Sequence, residues 1–130
     1  MPHDISSEVD IKLLVDTFYD RINKDKALGP IFNDVAKVDW SKHLPTMYEF
    51  WGTLLLGTKS YRGQPFPKHA VLPDLDRTHF AKWLALFNTT LHDLFEGPVA
   101  EHAEYRAGMI ANVFQTRLGL ATPFPIVIGK

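Results

Sequence analysis

The chain has 130 residues, enough for one domain that buries about two-thirds of its unfolded surface. Its 14 basic and 15 acidic side chains are well mixed and leave a net charge of −1, which indicates no surface for nucleic acid or an anionic membrane. Without cysteine there are no disulfides, thiolate metal sites or thiol nucleophiles. No signal-peptide pattern and no apolar run of about 20 residues appears, so we expect a single cytoplasmic domain over residues 1–130.

A first helix is predicted from Ser7 to about Lys26, because apolar residues recur there at steps of three and four. Ser6 or Ser7 is suited to cap its start, and Leu28-Gly29-Pro30 should end it. Tyr19 lies on the buried stripe of this helix. It is either a core tyrosine bonded to a backbone carbonyl or a functional donor, and the spacing leaves both interpretations open.

A second helix is predicted from about Ser41 or Leu44 to Leu56, with its true start within two residues of Pro45. Proline there would deny Ser41 its helical hydrogen bond. His43 would project from the first turn. A histidine at a helix start is more often exposed than functional, so this position alone indicates no chemistry.

The segment Tyr61–Pro73 is too rich in glycine and proline to be a regular element, yet it carries apolar residues that indicate packing. Pro65 and Pro67 stiffen it by fixing φ. His69 lies near its end, between two strongly apolar segments. Taken alone, this histidine is a surface residue, a core residue or a ligand.

Two further helices follow. A cap at Asp74 or Asp76 should open the third, and Gly97-Pro98 should close it and begin the fourth, which is predicted to run to about Leu118. The third helix has an apolar stripe of Phe80, Trp83, Leu84, Phe87, Leu91, Leu94 and Phe95, and the fourth one of Ala103, Met109, Ile110, Val113 and Phe114. We interpret His79, His92 and His102 as surface residues. The tail 120–130 should lie outside the helical core of about 7–119.

The predicted class is therefore all-α, with four principal helices and one irregular insertion. Three tryptophans and nine phenylalanines could close-pack a bundle or wall a large flat ligand. No phosphate loop, hydrolase triad or zinc-ligand spacing is present. One histidine on a stiff loop between aromatic-lined helices fits haem, whose iron needs a neutral imidazole and whose faces need apolar walls.

Taken together, these residues resemble the group III truncated haemoglobins. The resemblance runs from about Ile11 to Leu118 and rests on several separated motifs. They are Phe18-Tyr19, Leu28-Gly29-Pro30-Ile31-Phe32, His43-Leu44-Pro45-x-Met47-x-x-Phe50-Trp51, Leu55-Leu56-Gly57, Tyr61-x-Gly63, Pro67-x-His69 and the segment around Trp83. The family fold is a shortened globin in which two helices pack over two and enclose haem.

The resemblance also implies residue roles. His69 matches the proximal iron ligand, Tyr19 and Trp83 match distal hydrogen-bond donors, and His43 matches a movable distal residue. The residues expected to wall the haem are Phe32, Met47, Phe50 and Phe80, with Phe87 and Met109 added by pattern. The candidates for contact with the haem propionates are Tyr61, Arg62 and Lys68.

We therefore expect a monomeric haem b protein that binds oxygen, nitric oxide and carbon monoxide at ferrous iron. Whether it is an enzyme, as a nitric oxide dioxygenase or through peroxidase-like activity, is left open. Turnover would need electrons from a separate reductase, because no reductase domain is fused in this sequence. The alternative from another class is a cofactor-free helical interaction module whose aromatic stripes are only core.

Overall fold

The structure, a computed structural model, describes residues 2–35, 37–57 and 77–117. The predicted all-α class is confirmed, since the only extended pairing within these ranges is an isolated bridge between His3 and Phe95. The helices are α1 (Glu8–Lys24), α2 (Leu28–Pro30) with the π-helical turn Ile31–Val35, α3 (Trp40–Leu56), α4 (Arg77–Leu94) and α5 (Pro98–Arg117).

Helix α1 begins as predicted, with Ser7 as its N-cap and the Ser7 hydroxyl accepting from the Asp10 backbone N–H. It ends at Lys24, two residues before the predicted Lys26. Asp25 has extended backbone geometry, and its carboxylate accepts the backbone N–H groups of Ala27 and Leu28, both at 2.9 Å. The chain therefore leaves α1 early because Asp25 starts the next turn.

Leu28-Gly29-Pro30 does more than end α1, because these residues form the short helix α2 and continue into the π-helical turn. Gly29 lies against the end of α1. A Cβ atom at this position would sit 2.7 Å from the backbone oxygen of Asn23. Glycine is therefore required here by the close approach of two backbone segments.

The prediction that α3 starts within two residues of Pro45 is wrong, whereas the alternative start at about Ser41 is one residue from the observed one. The helix begins at Trp40, where the Asp39 carboxylate accepts from the Ser41 backbone N–H at 3.1 Å and from the Ser41 hydroxyl at 2.6 Å. Pro45 lies inside the helix. Its missing N–H affects only the bond to the Ser41 carbonyl in the first turn, which the Asp39 cap outweighs.

Helix α5 begins at Pro98 as predicted, but its buried face differs from the predicted stripe. Ala103 and Phe114 are buried as predicted, but Val113 is 43% exposed, and four alanines at steps of three and four form most of the buried face. They are Ala100, Ala103, Ala107 and Ala111. The small alanine side chains let α4 and α5 approach closely. The interior of this face is therefore filled by the neighbouring helix rather than by large side chains of α5. The predicted cap of α4 at Asp74 or Asp76 lies outside the described residues.

The segment before α1 closes the amino end of α5. The Asp4 carboxylate accepts the backbone N–H groups of Val99 and Ala100, each at 2.9 Å. Burial opposes ionisation of Asp4, but these bonds and one from the Ile5 N–H lower its pKa below the usual value. Gly97, with φ +144°, lets the chain pass Asp4, because a Cβ there would lie 2.6 Å from the Asp4 Cγ.

The core lies where α1 packs on both α3 and α4. Its fully buried side chains include Leu14, Phe18, Phe87 and Leu91. This arrangement turns the inner face of α1, which carries Tyr19, toward the start of α3. Within the described ranges, no helix combines the length and apolar character that a membrane crossing requires.

Candidate functional site

Tyr19 is the buried polar group around which the candidate site is built. Its side chain is 5% exposed, and it lies one residue after the fully buried Phe18. Burial raises the pKa of the Tyr19 phenol, and no hydrogen bond or charge from a described residue contributes to that shift. A buried hydroxyl normally has an acceptor. Tyr19 therefore keeps its phenol proton in the folded protein and is a candidate hydrogen-bond donor.

Besides its neighbour Phe18, three aromatic rings lie around Tyr19 where α1, the π-helical turn and α3 meet. The ring centroid of His43 lies 5.2 Å from that of Tyr19, Trp40 lies 5.4 Å away, and Phe32 lies 6.1 Å away. The His43 plane stands at 82° to the Tyr19 plane. The structure thus brings together three residues proposed from the sequence, Tyr19, Phe32 and His43.

Trp83 belongs to a neighbouring aromatic group. Its ring stacks on Phe87 with centroids 5.8 Å apart and meets the edge of Phe18 at 5.5 Å. Phe18 also contacts Tyr19 at 4.9 Å. The described rings show no direct Tyr19–Trp83 contact, so these two proposed donors are linked through Phe18.

The other proposed wall residues occupy different environments. Met47 and Phe80 are buried, whereas Phe50 and Met109 are half-buried. Phe87 is fully buried, with Trp51 stacked on it at 4.9 Å in addition to Trp83 and Phe18. Contact of these side chains with haem stays a prediction.

Four proposed site residues lie outside the described part of the chain: Tyr61, Arg62, Lys68 and the proposed iron ligand His69. Within the described ranges no group of three or more His, Cys, Asp or Glu side chains is arranged to hold a metal ion. An iron held through a single protein ligand would need no such group.

Sequence reasoning missed Trp40 and Asn33. The Trp40 indole N–H donates to the Asn33 side-chain oxygen at 2.8 Å, and the Trp40 ring stacks on Phe32 with centroids 6.0 Å apart. Trp40 precedes His43 by three positions, a spacing that puts both on one face of α3. That signal was hidden because the predicted helix began after Trp40.

These features fit a haem group on the side of the pocket that the structure describes. Aromatic and apolar side chains surround a buried phenol, and a ligand at a haem iron would be an acceptor for its proton. Tyr19 and His43 would face that ligand, and Phe32 and Met47, both buried, would cover apolar surface of the porphyrin.

Comparison with known proteins agrees with this arrangement. The profile of the bacterial-like globin family matches residues 3–116, which marks the protein as a haem-binding globin. Group 3 truncated hemoglobin ctb of Campylobacter jejuni is 36% identical over 121 residues, covering 91% of this chain and 95% of that protein. The crystal structure of group III truncated hemoglobin from Campylobacter jejuni matches with a TM-score of 0.81 and the same coverage. The chain belongs to the group III truncated haemoglobins within the globin family.

Proposed function

We propose that the protein holds haem b through His69 and binds oxygen, nitric oxide and carbon monoxide at ferrous iron. The observation that carries the proposal is the buried Tyr19 phenol, which lies among the rings of Phe32, Trp40 and His43. Haem supplies the iron at which a diatomic ligand binds. Family membership supports this function over the alternative of a cofactor-free interaction module.

Tyr19 and Trp83 serve in this proposal as donors to the outer atom of the ligand. A hydrogen bond to a charged acceptor contributes about 1.5–3 kcal/mol, or roughly 10- to 150-fold in affinity. Oxygen becomes far more negatively polarised than carbon monoxide when it binds ferrous iron. The two donors therefore favour oxygen over carbon monoxide and slow its release.

Slow release suits chemistry on oxygen better than its transport. We therefore propose an oxygen- or nitric-oxide-handling redox protein rather than a carrier. In this proposal His43, whose ring lies against Tyr19, moves toward or away from the ligand or gives a proton to a peroxide substrate. Each turnover would require electrons from a separate reductase.

The first test is the absorption spectrum of the purified protein. A Soret band near one haem per chain supports the proposal, whereas a colourless, stably folded protein would contradict it. The second test asks whether the protein carries out redox chemistry. It measures the rate of oxygen dissociation and the re-reduction of the ferric protein by cellular electron donors. Rapid oxygen release without reduction by any cell extract would favour binding, storage or sensing over redox chemistry.

A further inference from the structure

His43 is held between two aromatic rings rather than one. Its centroid lies 5.2 Å from Tyr19 and 5.6 Å from Trp40, with the ring planes nearly perpendicular in both pairs. The Nε2 atom of His43 is buried. An outward swing of His43 would therefore break its contacts with both rings and expose Nε2 to water.

Trp40 is itself fixed by an amide network. Its indole N–H donates to the Asn33 side-chain oxygen at 2.8 Å. The Asn33 amide nitrogen donates to the Asn23 side-chain oxygen at 2.8 Å and to the Gly29 carbonyl at 2.9 Å. One asparagine thus ties the first residue of α3 to the end of α1 and to α2. Both Asn33 N–H groups and its oxygen are used.

We propose that Trp40 is a positioning residue that holds His43 inward against Tyr19, and that Asn33 keeps Trp40 in place. This inference rests on the proposed ligand-binding function. It adds that Trp40 and Asn33 control ligand entry through the position of His43. Trp40 does not donate to the ligand, because its indole N–H is committed to Asn33. It acts through His43, whose inward orientation limits the size of the ligand that enters.

The variants separate the ring from the hydrogen bond that fixes it. Trp40→Phe puts a smaller ring beside His43, which reduces the contact between the two rings, and it also removes the indole N–H. Asn33→Leu and Asn33→Asp both keep the indole and both lose the N–H bonds to Asn23 and Gly29. They differ at the indole, because only Asn33→Asp retains an acceptor oxygen for it. Trp51→Phe is the matched control, because it also removes an indole from α3 but contacts Phe87 and Phe50 instead of His43.

The first measurement compares association rates of carbon monoxide and n-butyl isocyanide after flash photolysis. Trp40→Phe and Asn33→Leu should raise the rate for the bulky ligand relative to carbon monoxide by about two- to tenfold, the range that one aromatic contact supports. Asn33→Asp, which keeps an acceptor for the indole N–H but loses both amide donors, should shift the ratio less than Asn33→Leu. Trp51→Phe should retain the wild-type ratio. General loosening of the fold would instead shift Trp51→Phe as well, and that result would overturn the proposal.

The second measurement is independent of ligand kinetics. Nuclear Overhauser effects between the His43 and Tyr19 rings should be strong in the diamagnetic carbon monoxide complex and weaker in Trp40→Phe and Asn33→Leu. Unchanged ring contacts and an unchanged rate ratio in both variants would overturn the proposal. If the protein bound no haem, the proposed function would fail. The same ring contacts, recorded in the haem-free protein, would still decide whether Trp40 holds His43.

Discussion

The rings of Tyr19 and His43 meet edge to face, with centroids 5.2 Å apart and planes at 82°. The contact joins the middle of α1 to the first turn of α3, so a phenol and an imidazole from separate helices lie side by side. The Tyr19 side chain is buried by this packing, and burial raises the pKa of its phenol, so the proton stays on the hydroxyl at neutral pH.

Tyr19→Phe should speed oxygen dissociation by about tenfold or more, the effect of losing one hydrogen bond worth about 1.5 kcal/mol. Trp83→Phe should act in the same direction. The double variant should fall short of the product of the two effects if both donors serve one ligand. Stopped-flow dissociation rates provide the measurement, and Tyr105→Phe, at an exposed tyrosine of α5, is the control. Wild-type rates in both single variants would contradict the donor roles.

Burial of Tyr19 also predicts a specific loss of stability in alkali. The folded pKa is raised, so the unfolded chain ionises this phenol above pH about 10 while the folded protein keeps it protonated. The unfolded state then binds fewer protons, and the free energy of unfolding falls as pH rises. Tyr48, whose pKa is also raised by burial and by its bond to Asp16, adds to the effect.

Urea unfolding between pH 9 and pH 11 measures this slope. Tyr19→Phe should make the slope shallower by up to about 1.4 kcal/mol per pH unit, the value for one proton. Tyr105→Phe, at a tyrosine that is exposed in the folded protein, is the control. An equal slope in wild type and Tyr19→Phe would show that the phenol ionises freely in the folded protein.

His69→Ala should lose haem or retain it weakly, because His69 is the proposed iron ligand. Added imidazole should partly restore the five-coordinate ferrous spectrum. His92→Ala is the control, since His92 is exposed on α4 and pairs with Glu104 at 2.8 Å. Acid should release haem from the wild type through proton competition for the same imidazole. A wild-type spectrum in His69→Ala would assign the ligand elsewhere.

Two glycine-to-alanine substitutions should have opposite effects on stability. Gly29→Ala places a methyl group 2.7 Å from the Asn23 carbonyl oxygen, a backbone atom with little freedom to move. We expect a loss of about 1–3 kcal/mol, as for overpacking. Gly108 lies inside α5 with nothing within 4 Å of the added Cβ. Gly108→Ala should therefore stabilise by up to about 1 kcal/mol through helix propensity. Thermal unfolding compares the two, and stabilisation by Gly29→Ala would refute the close approach.

The helix pattern was readable from the sequence where side-chain bulk and burial coincide. Tyr19 was placed on the inner stripe of α1 by its spacing, and it is buried. The prediction failed where a backbone cap or small side chains decide the structure. Asp39 starts α3 at Trp40 despite Pro45, and alanines rather than Val113 face inward on α5.

The chemistry of the site was only partly accessible from local pattern. Spacing along one helix cannot show that Tyr19 and His43 meet, because that contact depends on how α1 crosses α3. It also gave no reason to single out Asn33, whose role comes from three hydrogen bonds to separate segments. The assignment of His69 as the iron ligand still rests on the family resemblance.

The Asp4 cap couples the first residues of the chain to the start of α5. Asp4 and Ala100 are separated by 96 positions, so α5 gains this stabilisation only after nearly the whole helical chain has been synthesised and its distant parts have met. Contacts of such long sequence separation form late because loop closure must precede them. Fraying at the amino terminus would break the bonds from the Val99 and Ala100 N–H groups to Asp4. It would therefore speed hydrogen exchange at these two amides at the start of α5.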